Sequence, residues 1–205
     1  MQPFTTVTGP AIPFMRAQVD TDLIVRIERL TTLPKDQLGP YAFESLRYLP
    51  DGTADPACIF NAPRFQTAPF LLASENFGCG SSREGAVWAL MCLGVRAVIA
   101  PSYGDIFFSN CFQNGVLPIR LPLADIEALS RRCADGSPMT IDLVAQTIRM
   151  ADGVEQSFEI DTIRREALLN GLDDIGLTLR DDATIRAWQA HDRISRAWAW
   201  RSVSA

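Results

Sequence analysis

The run Asn76-Phe77-Gly78-Cys79-Gly80-Ser81-Ser82-Arg83-Glu84 concentrates the residue types best suited to chemistry: two hydroxyls, a guanidinium, and a thiol between two glycines. Gly78 and Gly80 can take positive φ and allow a ligand to approach the backbone closely. If a helix starts just beyond them, its first-turn N–H groups have no intrahelical partner, and the helix dipole adds partial positive charge. Arg83 adds a permanent cation whose fork fits a carboxylate or phosphate in a bidentate manner. These features together favour an anion. A serine hydroxyl held among them would have its alkoxide stabilised, and could act as a base despite its high intrinsic pKa. The same residues also fit a purely structural role, with Ser81 and Glu84 three apart as a capping box and Arg83 as a solvated first-turn residue. The run is not a G-x-x-x-x-G-K-[ST] phosphate loop, having no lysine there. Nor is it G-x-G-x-x-G, because Arg83 stands in place of the third glycine.

The flanking sequence supplies the elements that must position this loop. Phe70 to Ala73 reads as a buried strand, Gly85 to Leu93 as a helix closed by Gly94, and Val95 to Ala100 as a second strand stopped by Pro101. Strand, loop, helix and strand make a βαβ unit with parallel strands. Ligands of such units sit beyond the carboxyl end of the strand, at the helix N-terminus. Upstream, Val19-Asp20-Thr21-Asp22 runs into the apolar Leu23-Ile24-Val25. This reads either as an Asx-type turn before a strand or as a site mouth, where Asp20 and Asp22 orient an arginine or a hydroxyl.

Residues 26 to 56 are irregular and rich in turn formers, and a connection this long is usually functional or mobile. They set Arg26, Arg29, Lys35 and Arg47 among Leu30, Leu33, Tyr41, Phe43 and Leu46. Such a segment could read a substrate bearing both a carboxylate and a hydrocarbon group, or serve as a lid that packs on the core. Residues 1 to 17 suggest an edge strand and a turn. Downstream, the pattern predicts a helix over 103–112, a strand over 116–121, a helix over 123–132, and a hairpin of 140–150 with 154–160. Two final helices are predicted over 163–170 and 182–200. Trp188, Trp198 and Trp200 in the last are packed on the domain or form a patch for another chain.

Composition bounds the function classes. A chain of 205 residues suits one domain, or one domain with a substantial tail. Its net charge of −5 disfavours nucleic acid and anionic membrane as partners. No apolar run approaches the ~18 residues that span a bilayer, and the N-terminus lacks signal-peptide features, which makes cytoplasm the expected location. The five cysteines include no C-x-x-C pair and the one histidine is His191, a poor basis for a metal or iron–sulfur site within this chain. Most of the thiols are expected to be free and buried. Cys79 has no histidine nearby in sequence to activate it as a nucleophile.

Four blocks then match one family in order. They are Val19 to Asp22 with the apolar pair that follows, Asn76 to Glu84, Asp105-Ile106-Phe107 with Asn114-Gly115-x-Leu117-Pro118, and Leu168 to Leu179. On these the chain resembles the small-subunit family of bacterial 3-isopropylmalate dehydratases, within the aconitase superfamily, over roughly residues 4 to 190. The resemblance implies an α/β fold, the three-layer β/β/α swivelling domain of the aconitase type. That domain would span 1–160 with its long loop at 26–56, and 161–205 would be a helical extension packed on it or on a partner. It implies a large-subunit partner carrying a [4Fe–4S] cluster whose open iron acts as a Lewis acid, with no cofactor in this chain. The implied reaction interconverts 2- and 3-isopropylmalate by dehydration and rehydration in leucine biosynthesis. By position, Ser81 corresponds to the base, Arg83 and Ser82 to alkoxide-stabilising and carboxylate-binding residues, and Thr21 and Asp22 to the acidic segment at the site edge. The segment Arg26 to Leu33 corresponds to the loop that selects the substrate side group. Two positions depart from the family pattern: Gly85 replaces a histidine and Arg26 a proline. The glycine is expected to open space beside the site, and the pair leaves room for a related dehydratase acting on another alkyl-substituted malate or maleate.

Overall fold

The computed structural model describes residues 1–81 and 83–200. Ser82, implied above to bind substrate, lies outside the described residues. The strands β2 (Phe70–Ala73) and β3 (Ala97–Ala100) are buried along their whole length. Leu71, Ala73, Val98 and Ala100 face one apolar cluster, while Phe70, Leu72, Ala97 and Ile99 face another. Both faces are covered, so each strand reads as a continuous apolar run rather than an alternation.

Strand β1 (Thr6–Phe14) changes partner midway. Its second half pairs parallel with β2, from Ala11 opposite Phe70 to Phe14 opposite Ala73. Its first half pairs antiparallel with β5 (Pro138–Asp142), from Thr6 opposite Asp142 to Pro10 opposite Pro138. The switch falls at Pro10, which has no N–H to give a ladder. With β4 (Leu117–Arg120), β6 (Thr147–Met150) and β7 (Glu155–Ser157) the strand order is β4-β3-β2-β1-β5-β6-β7.

One face of the parallel half carries helices α4 (Glu84–Cys92) and α5 (Asp105–Asn114), through Ala86, Val87, Leu90 and Phe107. The other face shares a cluster with Met139, Ile141 and Ile148 of the antiparallel half and with Ile126 and Leu129 of α6 (Leu123–Cys133). Helices, parallel sheet and antiparallel sheet thus stack in the three-layer order expected.

Several segments differ from expectation. Residues 1–17 hold not an edge strand but β1, paired with β2 on one side and β5 on the other in the middle of the strand order. The run after Asp20 is a one-turn helix, α1 (Thr21–Ile24), not a strand, because the Asp20 carboxylate accepts from the Leu23 N–H at 2.6 Å and caps it. Residues 26 to 56 contain α2 (Ile27–Thr32), α3 (Glu44–Arg47) and short 3₁₀ turns. They are pinned to the core by Phe43, whose ring stacks on Phe60 at 4.2 Å. Residues 140 to 150 are two strands rather than one, the chain turning after β5 through Gln146 at φ +56°.

Beyond the sheets come α7 (Thr162–Asn170), α8 (Asp174–Thr178) and α9 (Asp182–Ser195), the last ending short of the expected Trp200. Helix α7 buries Ala167 and Leu168, and the Phe4 N–H donates to the Leu168 carbonyl at 2.9 Å. Helix α9 buries only Asp192, which takes hydrogen bonds from Arg196 and Trp200 at 2.6 and 2.9 Å. Trp188 and Trp198 are exposed.

Candidate active site

Three connections meet where the parallel strands β1, β2 and β3 end: α1 after β1, the glycine loop after β2, and the Ser102–Gly104 turn after β3. The loop is stapled to both neighbours by its own backbone. Toward α1, the Gly78 and Cys79 N–H groups donate to the Val19 carbonyl at 2.7 and 3.1 Å, and Thr21 N–H donates to the Cys79 carbonyl at 3.1 Å. Toward the turn, Phe77 N–H donates to the Ser102 carbonyl at 3.1 Å and Gly104 N–H to the Phe77 carbonyl at 3.0 Å. This crowding explains Gly78. It sits at φ +72°, and a Cβ there would lie 2.2 Å from the Phe107 ring. Gly80, at φ +82°, makes the next turn.

The chain leaves this clamp at Ser81, which is exposed. Helix α4 then begins at Glu84 with Arg83 as its N-cap; the Arg83 side chain makes no capping bond, and the Ala86 N–H donates to the Arg83 carbonyl at 3.1 Å. Arg83 reaches across to α1 and forms an ion pair with Asp22. The capping-box alternative fails: the Glu84 carboxylate turns toward α5 and accepts from the Asn114 amide at 2.9 Å. Asn114 is 7% exposed and its carbonyl oxygen accepts from Trp88 Nε1 at 3.0 Å and Lys35 Nζ at 3.2 Å. One buried amide therefore ties the start of α4 to the end of α5 and to the 26–56 segment. In the sequence Asn114 reads as a helix stop before Gly115 and as part of a family-matching block, with no contact to Glu84 implied. Nothing local in the sequence pairs it with Glu84.

The remaining expected site residues separate. Thr21 is buried, with its hydroxyl oxygen enclosed and unpaired, and contributes its backbone N–H rather than a side chain at the surface. Arg26 lies on a groove of about 570 Å³ with Arg29, Tyr41, Glu44 and Tyr48, where its guanidinium stands 3.9 Å from Glu44. Arg29 holds the same carboxylate from Nε and a terminal nitrogen, both at 2.9 Å. The space expected at Gly85 is filled: a Cβ there would lie 2.4 Å from Leu30 Cδ2. Burial pushes the Cys111 thiol well up and the Cys133 thiol up to about 11, so neither ionises near neutrality. Among the described residues no three His, Cys, Asp or Glu side chains gather to hold a metal.

An exposed serine before a helix start, two residues from an arginine held by a carboxylate, has the chemistry to bind a carboxylate and take a proton from the carbon next to it. Comparison with known proteins gives the family of the chain. The family model for the aconitase C-terminal domain matches residues 1–124, and the LeuD_N model matches 127–162. The 3-isopropylmalate dehydratase small subunit of Rhodopseudomonas palustris strain TIE-1 is 49% identical over 97% of this chain and 100% of its own length. That of Rhodospirillum centenum is 47% identical over 97% and 99%. The crystal structure of 3-isopropylmalate dehydratase from Methanocaldococcus jannaschii superposes with a TM-score of 0.65 at 28% identity, over 89% of this chain and 99% of that one. The chain belongs to the 3-isopropylmalate dehydratase small-subunit family, within the aconitase superfamily.

Proposed function

We propose that this chain is the small subunit of a cytoplasmic hydro-lyase of leucine biosynthesis, active only with its large subunit. The assembly interconverts 2-isopropylmalate and 3-isopropylmalate through the unsaturated acid. Family membership supports the subunit role. The observation that carries the site assignment is Ser81, exposed at the start of α4, two residues from the Arg83–Asp22 pair.

Ser81 Oγ, as alkoxide, takes the proton from the carbon beside a substrate carboxylate. That carbon acid is weak, so the base must be strong and the charge on it stabilised before substrate arrives. The amides opening α4 and the Arg83 guanidinium supply that field, and Asp22 fixes the guanidinium's direction. Ser82 follows at a carboxylate-binding position. After the proton leaves, hydroxide departs from the neighbouring carbon, and re-addition to the other carbon, with Ser81 returning the proton, gives the isomer. The described residues of this chain offer no ligand set for a [4Fe–4S] cluster, which is assigned to the large subunit, where it supplies Lewis-acid assistance to the departing hydroxyl. The body of the subunit is residues 1–160, and 161–205 is an extension in which α7 docks on the body and α9 is left for a partner surface.

Co-purification of this chain with the large subunit, followed by assay of 2-isopropylmalate isomerisation, tests the reading. The assembly is expected to turn over and the lone chain to be silent. An assembly with full cluster content and no isomerase activity would refute it.

A further inference from the structure

Two neighbouring charges of opposite sign open α4, and the structure sends them apart. Arg83 pairs with Asp22 of α1, whereas the Glu84 carboxylate accepts from the side-chain amide of Asn114, at the end of α5. Asn114 is buried and uses every hydrogen-bonding position it has. Its NH2 group donates to Glu84 Oε1 and to the Asn110 carbonyl, both at 2.9 Å. Its oxygen accepts from Trp88 Nε1 at 3.0 Å and from Lys35 Nζ at 3.2 Å. Only an amide offers donors and acceptors together at this size; a carboxylate has no donor to give, and an aliphatic side chain has neither.

Glu84 has two other groups to which an anion is drawn. Arg83 is the adjacent residue, and the amides opening α4 carry the positive end of the helix dipole. Among the described residues the Glu84 carboxylate engages neither, and its partner is a neutral amide on the neighbouring helix. We propose that Asn114 is a positioning residue for the isomerisation: by holding the Glu84 carboxylate on the α5 side of α4, it keeps that internal anion from competing with the substrate carboxylate for Arg83 and the opening amides. This rests on the site reading of the previous subsection. Asn114 touches neither substrate nor reacting atoms and acts through Glu84.

The test measures KM and kcat for 3-isopropylmalate, and assembly and melting, in the cluster-loaded enzyme for wild type, Asn114→Asp, Glu84→Gln and the double variant. Asn114→Asp keeps the side-chain volume but turns an acceptor toward Glu84 and expels it. KM is expected to rise roughly tenfold with kcat little changed, the scale of one hydrogen bond to a charged group. Glu84→Gln alone keeps KM at the wild-type value, because an amide oxygen still accepts from Asn114 and no charge is released. In the double variant the new glutamine donates to the new aspartate, the tie re-forms with donor and acceptor exchanged, and KM returns toward wild type. A purely structural role would lower the melting temperature or the yield of assembly and leave KM where it was. An unchanged KM in active Asn114→Asp enzyme, or a raised KM that Glu84→Gln fails to relieve, would overturn the proposal. If Asn114→Asp fails to assemble, Asn114→Ala with and without Glu84→Gln makes the same comparison, with KM raised in the first and restored in the second. A wild-type assembly that does not turn over would instead indict the reading of the site itself.

Discussion

Arg83 is 29% and Asp22 55% exposed at their side chains, so water screens their ion pair and it contributes at most about 1 kcal/mol to the fold. Its value lies in aim. Asp22→Asn is expected to leave the melting temperature within about 2 °C of wild type, while kcat/KM of the assembled enzyme drops on the order of 10²-fold from misplacement of the guanidinium. A large loss of stability with intact kcat/KM would show the pair to be structural. Cys133 gives a second check at this scale. Its folded pKa of about 11 stands above the ordinary 9.0 because the thiol is buried, with Asp135 adding to the shift. A raised acid group costs nothing below pH 9 and loses stability as pH rises from 9 to 11, where the unfolded chain ionises and the folded one does not. Melting curves across that window should fall for wild type and fall less for Cys133→Ala. The site's residues divide by how local their signals are. Gly78 and Gly80 announced a tight loop because positive φ is a property of the single residue. Asn114 stood in a family-matching block, but its role was not legible there, since its work depends on α4 and α5 lying side by side.

At the scale of elements, the glycine loop is a part machined to fit between two neighbours. Gly78→Ala would combine a left-handed backbone with a Cβ 2.2 Å from the Phe107 ring. Loss of about 3 kcal/mol is expected, from left-handed strain and overpacking together, and is readable from urea unfolding of the isolated subunit. Wild-type stability in that variant would mean the loop is looser than its hydrogen bonds suggest. The strands β2, β3 and β4 and the helices between them were legible as apolar runs punctuated by Gly94, Pro101 and Gly115. Helix α1 was not, because a single turn has no periodicity to detect and exists only through the Asp20 cap and the Cys79 backbone. The 140–150 segment misled for a similar reason: no glycine marks its turn, and Gln146 takes the left-handed conformation in its place.

At the scale of the molecule, Ser81 and Asp22 are exposed and Arg83 is half-buried, while Thr21 is buried beneath them. The two long helices after residue 160 differ in how they are held. Helix α7 is built into the core through Leu168, whereas α9 buries only Asp192 and presents Trp188 and Ile194 to solvent. Deletion of residues 182–205 is expected to change the melting temperature of the isolated subunit by less than about 4 °C and to weaken assembly with the large subunit. A truncated chain that unfolds would place α9 within the body. The βαβ unit could be inferred from the residue pattern and the layer order from the family resemblance alone, but the sharing of β1 between two sheets could not, because it depends on pairings more than fifty residues apart. The account as a whole depends on Ser81 as the proton acceptor. The direct measurement is wash-in of deuterium from solvent into the carbon-bound position of substrate, using the assembled, cluster-loaded Ser81→Ala enzyme. The account predicts normal assembly and melting, with exchange and isomerisation both reduced by 10² to 10⁴-fold. Exchange at the wild-type rate in that variant would contradict it.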